Sequence, residues 1–297
     1  MEKQKRDLLL RIGELMGTFS KGQKRIGAFI ISQYDKAAFM TAAKLGETVG
    51  ISESTVVRFA TELGYDGYPK LQKALQELVR TKLTSVQRMQ FTSDRMGEQD
   101  VLTNVLTSDM EKIRLTLDEI HKEDFEHMIE TILRAKKIYI LGVRSSAALA
   151  SFLGFYFNLM FDNVCLIQTT SVSEMFEQIL RISAEDVVIG ISFPRYSRRT
   201  VKALQYAKAQ NSKVIAITDS QLSPITAIAD HSLLARSDMA SFVDSLVAPL
   251  SVINALIVAL GMRKQKEITQ TFEKLESIWD EYQVYDKYQE DEQPHEQ

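Results

Sequence analysis

The chain has 297 residues, one cysteine and a formal net charge of −3. That is length for two domains, and a lone cysteine excludes an internal disulfide and a cysteine metal cluster. Hydrophobic content of 45% allows a sizeable core. The start, MEKQKRDLLL, has no secretory apolar region, and the longest apolar stretch, 246–260, holds Pro249 and Asn254 and is too short to span a bilayer. The expectation is a cytoplasmic protein with no membrane partner.

Helices are predicted over 8–19 and 23–31. The stretch 41–64, TAAKLGETVGISESTVVRFATELG, then reads as helix, tight turn at Gly50 and second helix. Leu45, Gly46 and Val49 share one face of the first helix. Gly46 lets the second helix cross closely, and Gly50 suits a left-handed helix end. Ser52 is the expected N-cap of the second helix, with Glu53 favoured in its first turn. Val56 and Phe59 continue the buried face, with Val57, Ala60 and Leu63 around it. Ser52, Glu53, Ser54, Thr55 and Arg58 are left outward near the N-terminus of that helix. In a helix-turn-helix that end enters the major groove of duplex DNA, so these five are the DNA-binding candidates. A further helix is expected over 69–80. Residues 1–80 carry thirteen Lys and Arg against nine Asp and Glu, a basic portion of an acidic chain.

Residues 81–104 read as a linker, although an amphipathic helix begins at Val101 and runs to Ile120, with Val105, Met110 and Ile113 on its apolar side. Another helix is expected over 124–134. Short apolar runs then alternate with helical patterns. The runs are KKIYILG (136–142), NVCLIQ (163–168), DVVIGIS (186–192), KVIAITD (213–219) and HSLLA (231–235). The helices fall at 145–161, 171–182, 197–209 and 223–228. The fold class predicted is therefore two domains: an all-α helix-turn-helix bundle, then an α/β doubly wound parallel five-stranded sheet. An acidic, Gln-rich tail, 285–297, is expected to be disordered.

Ligands of such sheets bind at the carboxyl ends of the strands. The first strand ends in Gly142-Val143-Arg144-Ser145-Ser146 and the third in a loop from Ser192 to Thr200. Both open helices, and a helix N-terminus favours an anion. Ser and Thr add hydroxyl donors, and Arg adds a planar fork for phosphate. The ligand-binding candidates are Gly142, Arg144, Ser145, Ser146, Ser192, Arg195, Ser197 and Thr200. Each Ser or Thr taken singly reads more readily as a helix cap than as a ligand, and Arg144 and Arg195 could instead form ion pairs. No G-x-G-x-x-G follows the first strand and no Gly-rich loop ends in Gly-Lys-Ser/Thr. His121 and His127 lack metal-ligand spacing. No cofactor, metal or catalytic residue is expected.

The run LGETVGISESTVVRFATELGYDGYPKLQ resembles the N-terminal helix-turn-helix domain of the RpiR/MurR family of bacterial transcription regulators. Residues 105–284 resemble the SIS (sugar isomerase) domain that follows it there, an α/β/α sandwich. The resemblance implies binding of double-stranded operator DNA by a homodimer or homotetramer, with DNA affinity set by a phosphosugar or related small anion in the SIS domain. In the first SIS motif, Gly-x-Gly-x-Ser, Gly142 and Ser146 match the ends and Arg144 replaces the second Gly. In the second, Ser-x-Ser-Gly-x-Thr, Ser197 and Thr200 are retained, Arg198 replaces Gly, and Phe193-Pro194-Arg195 looks inserted after Ser192. Two alternatives stand beside a regulator. One is a phosphosugar isomerase, for which Glu174 is the nearest general base. The other is a DNA-binding protein whose SIS domain only dimerises it.

Overall fold

The computed structural model describes residues 8–82, 86–89, 100–169, 171–237 and 243–285. The expected tail beyond 285 and much of the expected linker lie outside the described residues. The chain divides into two compact units, Met1–Val105 with Asp238–Asp244, and Leu106–Ser237 with Ser245–Gln297.

Over the described residues 8–82 the regular elements of the first unit are all helices. Its helices are α1 (Leu8–Leu15), α2 (Lys21–Ser32), α3 (Tyr34–Ala37), α4 (Ala42–Val49), α5 (Glu53–Glu62) and α6 (Tyr68–Lys82). Ser20 and Gln23 form a reciprocal capping box at the start of α2. One core joins Ile12, Phe19, Ile26, Ile30, Leu45, Val56, Phe59, Leu71 and Leu75. Tyr68 donates its hydroxyl to the Met40 carbonyl at 2.8 Å, and burial pushes its pKa up to about 12. The short α3 was not expected from the sequence. Arg88, buried to 4% exposure, pairs with Asp244 at 2.6 Å.

The long helix α7 (Val101–Glu119) and α8 (Lys122–Leu133) precede an alternation of β1 (Ile138–Gly142), α9 (Ser146–Met160), β2 (Val164–Ile167), α10 (Val172–Ile179), β3 (Val187–Ile191), α11 (Arg198–Ala209), β4 (Lys213–Thr218) and β5 (His231–Leu234). Two helices close the described chain, α12 (Val247–Arg263) and α13 (Gln265–Glu281), which meet at 97°. The five strands are all parallel, in the order β2-β1-β3-β4-β5. Apolar side chains leave both sheet faces because strands alternate direction with a period of two. Ile138, Ile140, Ile189 and Ile215 pack on α8, α9 and α12. Tyr139, Leu141, Val188 and Val214 pack on α10 and α11. This is the expected doubly wound three-layer sandwich. Among the described residues, no single helix is long and apolar enough to cross a membrane.

Three expectations are corrected. Residues 223–228 form turns rather than a helix; Thr226 donates its hydroxyl to the Ser220 carbonyl at 3.0 Å, which closes the segment on itself. Val57 is 39% exposed. On α7, Met110 and Ile113 face solvent, while Lys112 and Thr116 are buried. Lys112 pairs with Asp109, and Thr116 accepts the Arg236 amide at 2.9 Å. These polar bonds satisfy the inward face, so the apolar stripe is left outside.

Candidate functional site

The first unit presents the helix-turn-helix. Thr41 caps α4 by accepting the Lys44 amide at 3.1 Å. Gly50 ends α4 at φ 65° and ψ 47°, a left-handed geometry that glycine adopts without a Cβ penalty. A Cβ on Gly46 would lie 2.6 Å from the Ile51 carbonyl oxygen. The small residue thus admits the turn against α4. Val56, Phe59 and Ala60 anchor α5 in the core.

Ser52, Glu53, Ser54 and Arg58 are exposed and Thr55 is half-buried, all at the start of α5. Ser52 sits at the N-cap position, yet it makes no capping bond to the backbone. Its hydroxyl instead lies 3.1 Å from that of Ser54 and 2.9 Å from that of Thr55. Three hydroxyls and the Arg58 guanidinium therefore share one end of the helix, with Arg58 Nε donating to the Ser54 carbonyl at 3.4 Å. Arg25 of α2 was not anticipated here. It is exposed and its Nη1 donates to the Gly50 carbonyl at 3.4 Å, which sets a cation beside the turn.

The second unit carries a cleft of about 1060 Å³. It opens between the carboxyl ends of β1 and β3, where the strand order reverses. Gly142, Val143 and Arg144 form one wall. Arg195, Tyr196, Ser197, Arg198 and Arg199 form another, and Gln168, Thr169 and Glu174 come from the segment after β2. Four of the eight expected ligand residues line it: Gly142, Arg144, Arg195 and Ser197. Ser145, Ser146, Ser192 and Thr200 do not. Ser145 is exposed outside the cleft lining, and for the other three the reason is burial. Ser146, Ser192 and Thr200 are buried. Ser192 accepts the Ser197 amide at 3.3 Å on its hydroxyl and the Thr218 hydroxyl at 2.7 Å on its carbonyl. Ser192 thereby stitches the loop to the sheet. Ser197 caps α11 by accepting the Arg199 amide at 3.2 Å.

Arg144 holds φ 58°. The position keeps the left-handed backbone although the side chain is not glycine, at a cost of about 1 kcal/mol. Gly142 is required for another reason, since a Cβ there would meet the Ser146 carbonyl oxygen at 2.5 Å. Glu174 stands in the first turn of α10, where its carboxylate accepts the Thr169 hydroxyl. The Thr169 hydroxyl in turn accepts the Ser171 amide at 3.0 Å. Tyr196, Arg198, Arg199 and Thr169 were outside the expected set. The signal for the arginines was present as the basic run between Ser192 and Thr200, but which of them face the cleft depends on the loop path.

Residues 6–82 match the helix-turn-helix domain of the rpiR family, and residues 131–259 match the SIS domain. An "Uncharacterized HTH-type transcriptional regulator" of Haemophilus influenzae is 24% identical over 283 residues, across 90% of this chain and 94% of that protein. The sugar isomerase domain of an RpiR transcription factor from Sphaerobacter thermophilus is 30% identical, with a TM-score of 0.58. The match spans 60% of this chain and 99% of that one. The Vibrio vulnificus NanR protein, solved in complex with ManNAc-6P, shares the fold at a TM-score of 0.59 and 19% identity, over 93% of this chain and 99% of that one. Fold, domain order and these relatives agree, and the chain belongs to the RpiR family of helix-turn-helix transcriptional regulators with a SIS domain.

Proposed function

We propose that this regulator reads double-stranded operator DNA with the start of α5 and that a phosphosugar or related anion in the β1/β3 cleft sets its DNA affinity. The observation that carries the reading is the cleft itself. It gathers four arginines and one carboxylate at the switch point of a parallel sheet, where small ligands bind and where guanidinium forks suit phosphate. Complexation of ManNAc-6P by the NanR relative supports the same ligand class. Ser52, Glu53, Ser54, Thr55 and Arg58 are the base-reading and positioning residues in this reading, and Lys and Arg of the first unit supply salt-dependent phosphate contacts. The domain assignment that goes with it is 1–80 for DNA, 81–104 as linker and 105–284 for the effector.

The working form is a homodimer or larger, in the cytoplasm. One helix-turn-helix reads one half-site, so a second copy is needed for a palindromic operator. Leu102, Leu106, Met110, Ile113 and Leu117 form an outward stripe on α7, spaced four, four, three and four residues apart and 39 to 71% exposed. Spacing of that kind puts all five on one face, and a self-complementary patch is how two-fold dimers form. We assign the stripe to the partner copy.

The test is fluorescence anisotropy on an operator found by binding-site selection from random DNA, with and without a panel of phosphosugars. A change in affinity with one sugar class supports the reading; constant affinity across the panel overturns the effector role and favours a SIS domain that only dimerises. A second reading, isomerisation of a phosphosugar, rests on Glu174 lining the cleft. Turnover of a phosphosugar by the purified protein would establish it, and absence of turnover across the same panel would remove it.

A further inference from the structure

The closing helix α13 has no buried residue. Its 17 residues, a helix about 25 Å long, turn off α12 at 97°. Helices of that length are marginal by themselves and owe their stability to a covered apolar face. The face is present. Ile268, Phe272, Leu275, Trp279 and Tyr282 are spaced four, three, four and three residues apart, the alternation that keeps one seam along a paired helix. Ile268, at the amino end, packs on the core of the second unit. The four beyond it are half-buried or exposed, Tyr282 to 71%. A groove of about 610 Å³ runs beside the seam, with Gly261, Ile268, Phe272 and Glu276 in its lining.

Charge selects the occupant. In the amino half of α13, Lys264 and Lys266 stand against Glu267, a balance of +1. Lys264 lies over the Phe161 ring, a contact that keeps its charge. In the carboxyl half, Glu273, Glu276 and Glu281 stand against Lys274, a balance of −2, besides Asp280, which has an interaction of its own. The last turn holds no basic residue, the reverse of what a helix dipole favours at its carboxyl end. A second α13 laid antiparallel meets both needs. It offers the same seam, and its basic amino half lies along the acidic carboxyl half. Laid parallel, like charge would face like. We infer that α13 pairs antiparallel with α13 of a second copy of this chain. The seam is separate from the contact assigned to α7 and does not rest on it. Two different two-fold contacts on one chain close into a tetramer. The α13 seam is then made twice, and its second pairing is effectively intramolecular. A seam of about two heptads needs that help, so it does not hold two chains once the α7 contact is lost.

Trp279 is the only tryptophan of the chain and stands in the seam, so its emission reports the pairing. Sedimentation velocity and tryptophan fluorescence of the full chain at micromolar concentration test the inference. The wild type should sediment as four chains and Phe272→Glu as two, with the emission of the variant shifted to the red. Phe272 is two helical turns, about 10 Å, from Trp279 along the same helix, so the shift does not come from the new side chain itself. No residue of α13 is buried, so the fold should persist, checked by an unchanged far-ultraviolet circular dichroism spectrum. Lys266→Glu gives both halves of α13 the same sign and should raise the tetramer dissociation constant about tenfold; a parallel pair would not feel it. Equal mass and equal emission in the wild type and Phe272→Glu overturn the inference and leave the assignment of α7 standing. A fall from two chains to one in Phe272→Glu supports the seam and overturns the assignment of α7. An unchanged dissociation constant in Lys266→Glu overturns the antiparallel direction.

Discussion

Tyr196 donates its hydroxyl to Asp219 Oδ1 at 2.9 Å, which ties the loop after β3 to the end of β4. Asp219 is buried to 4% exposure, so the bond fixes one wall of the cleft to the sheet. At the end of β4, Thr218 spends its hydroxyl on the Ser192 carbonyl and on Ser223 at 2.8 Å. Tyr196→Phe is expected to cost about 0.5–1.5 kcal/mol of stability and to weaken effector binding, read by calorimetry. An unaltered effector affinity would show that this tether does not order the wall.

Arg58→Ala should lower operator affinity by about 1–3 kcal/mol if the guanidinium reads a base. Arg25→Ala should weaken all DNA sequences alike and reduce the slope of affinity against salt by about one phosphate's worth. Anisotropy at several salt concentrations separates the two. Unchanged binding in either variant would take that residue off the DNA face.

Gly46→Val should destabilise the first unit by about 1–3 kcal/mol, because the added carbon would lie 2.6 Å from the Ile51 carbonyl oxygen, a backbone atom that cannot rotate aside. Thermal denaturation followed by circular dichroism measures it. Wild-type stability would mean the turn yields more readily than this packing implies.

Leu106→Glu combined with Leu117→Glu should lower the mass seen by light scattering to that of one chain and weaken operator binding. Both side chains are exposed, so the fold should persist. An unchanged mass would place the subunit contact on another surface.

His231, at the start of β5, lies 3.2 Å from the Thr131 hydroxyl with the His127 ring at 6.1 Å. Burial holds its pKa below the ordinary 6.5; Asp230 and Asp124 oppose this, while His127 and Lys213 add to it. The unfolded chain therefore takes up the proton first. Stability is full above 6.5 and falls as the pH drops from that value towards the folded pKa. Denaturation midpoints from about pH 7 to 5 should decline in the wild type and less steeply in His231→Gln. Parallel profiles would exclude this histidine as the source.

The local patterns were legible from the sequence because their causes are local. Gly50 marks a left-handed helix end, and the apolar runs from Ile138 to Leu234 mark strands buried on both faces. Helix-turn-helix, sheet and domain order all follow from such signals. The closing helix α13 and the turns at 223–228 were not legible: α13 has no buried residue to mark a core-facing stripe, and Ser-Pro-Ile-Thr-Ala-Ile is too short for a helical period to separate helix from turn.

The site is divided in the same way. The sequence alone determined that a helix-turn-helix leaves Ser52, Ser54, Thr55 and Arg58 at the start of α5 and that arginines stand at the strand ends, since residue type and spacing decide both. Only the tertiary structure decided which of those groups share a space. Burial turned Ser146, Ser192 and Thr200 away from the cleft, and the path of the loop into α11 brought Arg195, Arg198 and Arg199 opposite Arg144. The same holds for α7. A helical period shows that Met110 and Ile113 lie on one face, but the bonds of Thr116 to Arg236 and of Asp109 to Ser245 decide which face turns inward. Contacts between residues far apart in the chain carry that information, and no local pattern contains it.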